Sequence, residues 1–409
     1  MPDRAATWLC ALLLLLAFGL RACHLDYQSL WSDEGISLVR SALPLGEMLA
    51  QMPVEHVPGY FVLLKGWIAL TGETDFGVRY FSLLPSVWAV ALLYRLAVDL
   101  GSRQIGLLAA ALLATNGFQV WYAQEARMYS WLLAAGLLST LCFWRLLADE
   151  AGKFPWGVWT GYVLATTATI YLHYFGFLVP LSHTAFAALW WLLGRERRPL
   201  RRWVGAGVTV ALLFSPWMVR GWRLLAFEGW RPPLDPAQAP WLLLRAYSVG
   251  ETMPTPWMDW LPWVYLVLAA LGIAAWARRG QAALFLAALL GTALGVIMLL
   301  VVRQPDFHVR YPIFISVPLL LLAAGGVAGL SPRWWRPDRS LHHVDLAAPT
   351  LVLALLLAAN ALALERLYTD TTLHKPDFRS AAQTISAGAG PEDVVLVDGP
   401  NPELVFNHY

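Results

Sequence analysis

The chain has 409 residues, of which only 14% are Asp, Glu, Lys or Arg, whereas soluble globular proteins average about 25%. Apolar residues make up 58% of the sequence and the mean hydropathy is +0.54, which together exclude an ordinary soluble protein. The net charge of +2 argues against nucleic-acid binding, and the three cysteines lack the spacing of a zinc site or a disulfide framework.

Uncharged stretches of about 20 residues recur along the chain, and each is long enough to cross the hydrocarbon core of a membrane. The stretch after Arg4 lacks a small-residue cleavage site, so we interpret it as a retained first span and not as a signal peptide. The apolar segments lie near residues 5–22, 57–71, 80–98, 105–121, 129–147, 158–172, 175–193, 203–219, 260–276, 281–302, 311–329 and 346–364.

Residues 57–71 differ from the other apolar segments. This segment is short, begins with Pro58-Gly59 and carries Lys65 near its middle, which favours a helix lying in the membrane interface. Without it, about eleven spans remain. The predicted fold class is therefore an all-α polytopic membrane protein with additional helices at the membrane surface.

Arginine clusters orient these spans. The Arg-rich stretch 195–202 belongs in the cytoplasm by the positive-inside rule, and even numbers of spans separate it from the clusters at 278–279 and 333–339. Counting back from it places the amino terminus in the cytoplasm and the loops around residues 33, 125 and 173 outside. Loop 220–259, with four arginines outside, fits the rule least well.

The composition changes after residue 364. Residues 365–409 are predicted to lie outside the membrane, with a short helix near 378–385 and a strand at 394–397 that ends at Gly399-Pro400. This pattern is typical of the start of a small α/β subdomain, and we expect the segment to be incomplete. The chain then divides into a transmembrane domain, 1–364, and a C-terminal segment, 365–409.

The first outer loop places two carboxylates, Asp33 and Glu34, at the start of a predicted helix. Helix capping alone explains such a pair well. A carboxylate held against the membrane can also meet a lipid headgroup and a hydroxyl acceptor together, and there it can act as a general base. Two adjacent acids could bind a divalent metal but are too few to predict a metal site.

The second outer loop contains Glu125 and Arg127, followed by Tyr129. Residues two apart do not face each other on a helix, so each charge needs a partner on another element or reaches water by snorkelling. The planar guanidinium of an Arg also suits an anionic headgroup. His56 and His173 lie at the same interface, where a structural role is the commoner one.

A further outer loop carries Arg303 and Arg310, the latter followed by Tyr311 immediately before a span. Both arginines break the positive-inside tendency, which a bound phosphate explains as well as plain anchoring does. Lys65 could contact the same phosphate, or could extend to water.

Four motifs occur in the order seen in the C-type glycosyltransferases. The sequence resembles family 39 and its bacterial relatives, kin to protein O-mannosyltransferases and aminoarabinose lipid A transferases, over nearly the whole chain. Together the motifs are fairly specific, although each is weak alone. They are Trp31-Ser32-Asp33-Glu34, His56-Val57-Pro58-Gly59-Tyr60, the stretch from Tyr122 to Tyr129, and Arg310-Tyr311-Pro312.

This resemblance implies an integral enzyme of the bacterial plasma membrane with an extracytoplasmic site, a polyprenyl-phosphate-sugar donor and inversion at the anomeric carbon. It implies Asp33 as the catalytic base with Glu34 as its neighbour. Relatives often have His-Pro-Pro where this chain has His56-Val57-Pro58, which leaves the role of His56 open. The expected substrate-binding residues are Glu125, Arg127, Tyr129, His56, His173, Lys65, Arg310 and Tyr311.

The main alternative is a secondary transporter or a flippase for lipid-linked sugars. That class predicts ionisable residues in mid-span and two matching halves, whereas the long spans here carry almost no charge at their centres and show no duplication. An O-antigen polymerase or ligase and a non-catalytic sensor are further alternatives. The sequence leaves the sugar, the acceptor, the metal requirement and the oligomeric state open.

Overall fold

The computed structural model describes residues 3–148, 154–195, 197–221, 223, 234–303, 307–335, 344–390, 392–398 and 401–409. Throughout these ranges the regular elements are helices, which confirms the predicted all-α membrane fold. Arg231, Arg336, Arg339 and the turn Gly399-Pro400, used in the sequence interpretation, lie outside them.

Nine helices occupy the first part of the chain and carry three of the four sequence motifs. They are α1 (Asp3–Ala22), α2 (Ser32–Ala42), α3 (Leu45–Gln51), α4 (Gly59–Thr71), α5 (Asp75–Asp99), α6 (Arg103–Thr115), α7 (Gly117–Ala123), α8 (Tyr129–Ala148) and α9 (Trp156–Leu172).

The remaining helices complete the membrane bundle and the C-terminal segment. They are α10 (Leu178–Leu192), α11 (Arg198–Gly221), α12 (Ala239–Val249), α13 (Thr255–Ala277), α14 (Ala282–Arg303), α15 (Ser316–Gly329), α16 (Pro332–Trp335), α17 (Val344–Thr369), α18 (Phe378–Gly388) and α19 (Pro402–Phe406).

Among the described residues, eight helices are long and apolar enough to cross a membrane, or nine if the bent pair α6–α7 counts as one span. These eight are α1, α5, α8, α10 with the preceding turn Tyr174–Phe177, α11, α13, α14 and α17. The predicted spans at 158–172 and 311–329 form shorter helices. The second of these, α15, is buried from Ser316 to Ala328, so protein and not lipid surrounds it.

The predicted span at 105–121 is broken at Asn116, where α6 and α7 meet at 58°. The Asn116 side chain accepts a hydrogen bond from the backbone N–H of Gln119 and so caps α7. The guanidinium of Arg21 in α1 donates to the carbonyls of Leu113 and Ala114, at 3.2 and 2.8 Å. A buried Arg thus satisfies carbonyls at the end of α6 that the bend leaves without helical partners.

Helices α13 and α15 approach each other closely through glycines. A Cβ added to Gly272 would lie 1.8 Å from the carbonyl oxygen of Leu322, and one added to Gly326 would lie 2.0 Å from that of Leu268. Small residues at a membrane-helix interface permit this backbone contact. The pair forms the rigid interior of the bundle.

Helix α4 has 13 residues and therefore lacks the length of a span, as the sequence predicts. Its first residue, Gly59, packs directly on α9, since a Cβ there would lie 2.4 Å from the carbonyl oxygen of Tyr171. The short helix thus lies against the bundle beside α2.

The predicted strand at 394–397 is wrong. Residues 392–398 form no strand, and Val394 and Leu396 are 90% and 92% exposed. A strand is stable only when a neighbouring strand takes up its backbone hydrogen bonds, and none lies beside this segment in the described chain. The predicted helix near 378–385 is confirmed as α18.

The C-terminal segment packs on the first loop. The backbone N–H of Leu30 donates to the Tyr409 hydroxyl at 2.8 Å, and Arg379 pairs with Asp75 at the start of α5. A Cβ on Gly35 would lie 2.7 Å from Cγ2 of Val405, so α2 and α19 are in close contact. Residues 365–409 therefore contribute to the same end of the molecule as Asp33 and Glu34.

Candidate active site

The predicted carboxylate pair lies in the first turn of α2, and its two members have different surroundings. Glu34 is fully buried, whereas the Asp33 side chain is 23% exposed. Each pairs with its own arginine, from opposite parts of the chain: Glu34 with Arg79 of α5, and Asp33 with Arg310.

Glu34 has both carboxylate oxygens bonded within the protein. Arg79 binds it with two donors, Nε to Oε1 at 2.8 Å and Nη2 to Oε2 at 2.7 Å, and the backbone N–H of Ala126 donates to Oε1 at 2.8 Å. Burial alone would raise the pKa of Glu34, but the charges of Arg79 and Lys375 and these hydrogen bonds lower it to about 2. Glu34 therefore joins α2 to α5 and to the turn at 124–128.

Asp33 has a simpler environment. Its Oδ2 accepts from Nη2 of Arg310 at 2.7 Å, and its backbone carbonyl accepts from Nη1 of Arg127 at 3.0 Å. Burial works to raise the pKa of Asp33, but the charges of Arg127 and Arg310 and the hydrogen bond from Arg310 outweigh it and hold the pKa below its usual value. The carboxyl group is therefore ionised at neutral pH.

Arg310 brings the predicted aromatic residues together. Its guanidinium lies over the rings of Tyr129, Trp31 and Tyr311, with centroid distances of 5.3, 5.7 and 5.9 Å. Aromatic faces attract a cation in this range. The loop after α14 and the start of α8 are thereby held beside α2.

Donors of three arginines near Asp33 are buried without a hydrogen-bond partner: Nε of Arg127, Nε of Arg310 and Nη1 of Arg40. Arg40, in the last turn of α2, has a pKa lowered to about 10 by burial and by the neighbouring charge of Arg127. Buried donors are normally satisfied, so this set is arranged to receive acceptor oxygens. Arg127 and Arg310 both contact Asp33, and their unpaired donors match a bound anion.

The predicted histidines are neutral members of this cluster. Burial and the nearby positive charges lower the pKa of His173 to about 3 and that of His56 to about 4. Nδ1 of His173 accepts from the backbone N–H of Phe175 at 3.1 Å, so Nε2 carries the proton. Its ring lies 5.1 Å from that of Tyr311 and 6.1 Å from that of Tyr129.

Lys65, a predicted phosphate contact, lies beside the last turn of α2. Its Nζ donates to the carbonyls of Ser41 and Ala42 at 3.2 and 3.4 Å, at the carboxyl end of α2. Asp33 is at the other end of the same helix, about 12 Å away at 1.5 Å per residue. Lys65 therefore caps the carboxyl end of α2, and its contact with a phosphate stays a prediction.

The donor set around Asp33 does not suit a metal ion. Its close neighbours are the cations Arg127 and Arg310, and no group of three or more His, Cys, Asp or Glu within the described residues is placed to hold a metal. Hard divalent cations require several oxygen ligands together.

The chain is similar to known proteins in part of its sequence and in its fold. Residues 55–219 match the family model described as dolichyl-phosphate-mannose-protein mannosyltransferase, whereas no curated protein matches the chain. The fold is similar to that of ArnT from Cupriavidus metallidurans in the apo state, with a TM-score of 0.65 and 14% identity over 98% of this chain and 84% of that one.

Two ligand-bound structures also match. ArnT bound to undecaprenyl phosphate has a TM-score of 0.59 and 14% identity, covering 99% of this chain and 85% of that chain. The oligosaccharyltransferase AglB from Archaeoglobus fulgidus, in complex with an inhibitory peptide and a dolichol-phosphate, has a TM-score of 0.63 and 10% identity, covering 95% of this chain and 58% of that chain. The chain therefore has the fold of these membrane proteins, and part of its sequence matches the mannosyltransferase family model.

Several residues of the candidate site were missed by sequence reasoning. Two of them are Lys375 and Glu251. Nζ of Lys375 lies 3.4 Å from Oε1 of Glu125, and the hydroxyl of Tyr122 donates to Glu251 at 3.0 Å. Lys375 also lies 3.6 Å from Oε2 of Glu34, so it links both outer-loop carboxylates.

Arg79 was detectable in the sequence, because an ionisable residue at the start of an apolar span marks a buried partner. Arg40 carried no comparable signal. It lies in the last turn of α2, where a cation is common because it interacts favourably with the helix dipole. Lys375 had none either, because the sequence assigned it to a separate C-terminal segment. Only the folded chain brings residues 34, 125 and 375 together.

Proposed function

We propose that this protein is a glycosyltransferase that transfers a sugar from a polyprenyl-phosphate donor to an acceptor hydroxyl, with inversion at the anomeric carbon. Two proteins of the same fold were determined with such lipids, ArnT with undecaprenyl phosphate and AglB with a dolichol-phosphate. The observation that carries the proposal is the ionised carboxylate of Asp33 among arginines whose buried donors lack partners.

In the proposed reaction, Arg310 and Arg127 bind the phosphate of the donor. The oxygen of the acceptor hydroxyl attacks the anomeric carbon, and its proton passes to the carboxylate of Asp33. The bond from the anomeric carbon to the phosphate oxygen breaks in the same step. The departing polyprenyl phosphate carries the growing negative charge, which the guanidiniums stabilise. Glu34 and Arg79 position the loop and take no part in proton transfer.

The pairing of Asp33 with Arg310 gives the donor a second effect. A phosphate that takes up Arg310 removes the charge-assisted bond at Oδ2 of Asp33 and reduces the positive field on it. Both changes raise the pKa of Asp33 and make it a stronger base. Binding of the donor thus prepares the carboxylate for the acceptor.

We place the site on the extracytoplasmic side of a bacterial plasma membrane. The start of α2 lies at one end of the bundle, and the arginines at 195, 197, 201, 278 and 279 lie at helix ends on the other. Positive residues favour the cytoplasm. Nucleotide-activated sugars stay there, so an external site needs a donor already activated on a lipid.

Asp33→Asn tests the proposal. The variant should lose about 10²–10⁴-fold in transfer rate, the usual contribution of a general base, while membrane insertion and thermal stability persist. The assay uses purified protein in lipid with radiolabelled polyprenyl-phosphate hexoses and a panel of acceptors. Asp26→Asn, which changes an exposed carboxyl of the same loop, is the matched control and should keep full activity.

The assay also distinguishes an enzyme from a transporter or flippase. An enzyme releases polyprenyl phosphate from the donor in proportion to the glycosylated acceptor. Movement of intact donor across the membrane without cleavage, or unchanged turnover of Asp33→Asn, would contradict the proposal.

A further inference from the structure

A large apolar groove lies at the end of the molecule opposite the candidate active site. It has a volume of about 870 Å³, near the upper end of the roughly 300–1,000 Å³ of small-molecule pockets. Helix α6 forms its floor, and α1 and α17 form its walls. The lining residues that the argument uses are Leu9, Leu13, Leu108, Leu353, Arg103 and Arg279.

The groove exists because α1 and α17 are joined at one end only. Near the active site, the hydroxyl of Tyr368 in α17 donates to the carbonyl of Leu20 in α1. Leu353 and Leu13, one turn or more toward the other end of each helix, line the open part. Both helices are largely uncovered by protein, with 17% and 22% of their most apolar stretches buried. The groove therefore opens toward the surrounding lipid.

The groove is amphipathic along its length. Leucines line its apolar part. Arg103, at the start of α6, and Arg279, just after α13, lie at the end of the groove that is farthest from Asp33. The exposed guanidinium of Arg279 lies 4.9 Å from the ring centroid of Trp334, another lining residue, and pairs with no carboxylate in the described part of the chain.

We propose that this groove binds one acidic phospholipid, with its acyl chains along α1, α6 and α17 and its phosphate at Arg279. Apolar walls accept acyl chains, and a basic rim between membrane helices selects an anionic headgroup over a zwitterionic one. Trp334 lies beside Arg279, and aromatic residues favour the headgroup region of a membrane. The inference does not depend on the proposed reaction, because the groove lies at the far end of the bundle from Asp33.

Native mass spectrometry of the purified, delipidated full chain tests this site. The protein is titrated with phosphatidylglycerol or with phosphatidylcholine of the same acyl chains. The wild type should retain one phosphatidylglycerol in clear preference to phosphatidylcholine. Arg279→Gln should lower the affinity for phosphatidylglycerol about fivefold and leave that for phosphatidylcholine unchanged.

Arg278→Gln is the matched control, because Arg278 lies against Trp335 and not in the groove. It should bind phosphatidylglycerol as the wild type does. Leu108→Trp, which fills the groove within the membrane, should weaken binding of both lipids.

Three results would overturn the proposal: equal affinity of the wild type for the two lipids, equal losses in Arg278→Gln and Arg279→Gln, or unchanged binding in Leu108→Trp. The phosphatidylcholine titration of Arg279→Gln shows at the same time whether that variant keeps its groove.

Discussion

Asp33 and Glu34 are adjacent in the chain, yet the folded protein separates their roles. Glu34 is bonded on both oxygens by Arg79 and the Ala126 backbone, whereas Asp33 has one side-chain bond, to Arg310. A carboxylate with fully occupied oxygens holds elements together, and one with a single exchangeable bond is able to accept a proton. The difference lies in the partners, which come from distant parts of the chain.

Arg310→Gln tests the coupling between the anion site and Asp33. Loss of the positive charge should raise the pKa of Asp33, so the acidic limb of kcat/KM against pH should move to higher pH. The maximal kcat/KM should fall roughly 10²–10³-fold, because a donor to the leaving phosphate is lost. Arg310→Lys, which keeps the charge, should retain the position of the acidic limb. An acidic limb that stays in place in Arg310→Gln would show that Arg310 does not control Asp33.

Glu34→Gln tests the positioning role of the buried pair. Leaving Arg79 without its counter-charge should lower the free energy of unfolding by about 3–5 kcal/mol, visible as a lower thermal unfolding temperature. The double variant Glu34→Leu/Arg79→Met removes both charges and should cost less than the sum of the two single changes. Additive losses would argue against a coupled pair.

The same carboxyl group makes stability depend on acid. The pKa of Glu34 falls from 4.5 to about 2 on folding, because Arg79 and Lys375 overcome the effect of burial. Its contribution to stability is therefore present above pH 4.5 and is lost as the pH falls toward 2. Glu34→Gln should be less sensitive to acid than the wild type over this interval.

At the scale of helices, the bend between α6 and α7 sets the direction of the second outer loop. Helix α7 leads directly into the turn that carries Glu125 and Arg127. Arg21 stabilises the bend from a neighbouring helix by donating to the freed carbonyls, and its Nε donates to Ser86 in α5 at 2.7 Å. One buried Arg thereby connects α1, α5 and α6.

Arg21→Met should weaken this connection. Each carbonyl left unsatisfied in the buried bend should cost roughly 1–3 kcal/mol, so the thermal unfolding temperature should fall and transferase activity with it. Arg4→Met, an exposed position of the same helix, is the control and should behave as the wild type. Equal stability of the two variants would show that the bend does not need Arg21.

At the scale of the whole molecule, charge separates the two ends of the bundle. Asp33, the proposed base, lies at one end, and the arginines following α13 and preceding α11 lie at the other. The C-terminal segment belongs to the first end, where Lys375 reaches Glu34 and Glu125 and Tyr409 contacts Leu30.

Cysteine labelling in intact cells tests this orientation. Cys23 is exposed at the active-site end, so a membrane-impermeant maleimide should label it without permeabilisation. A cysteine introduced as Arg278→Cys in a Cys23→Ser background should react only after permeabilisation. The reverse pattern would place the site in the cytoplasm and remove the need for a lipid-linked donor.

Much of this architecture could be predicted from local sequence. Apolar segments about 20 residues long can be recognised without tertiary contacts, and so can the short length of α4. The strand at 394–397 was wrong because β-rich composition does not supply a pairing partner. The position of Lys65 at the carboxyl end of α2 could not be predicted, because composition places a residue near the membrane surface but not at one end of a neighbouring helix.

By itself, the sequence determined that the chain crosses the membrane many times and which loops carry ionisable residues, since hydropathy and charge act within one segment. Only the tertiary structure decided that Arg79 neutralises Glu34, that Arg310 reaches Asp33 and that Lys375 joins the site. Those contacts link residues separated by 45, 277 and 341 positions. A buried charge is stable only beside its partner, and which partner it meets depends on how the helices pack.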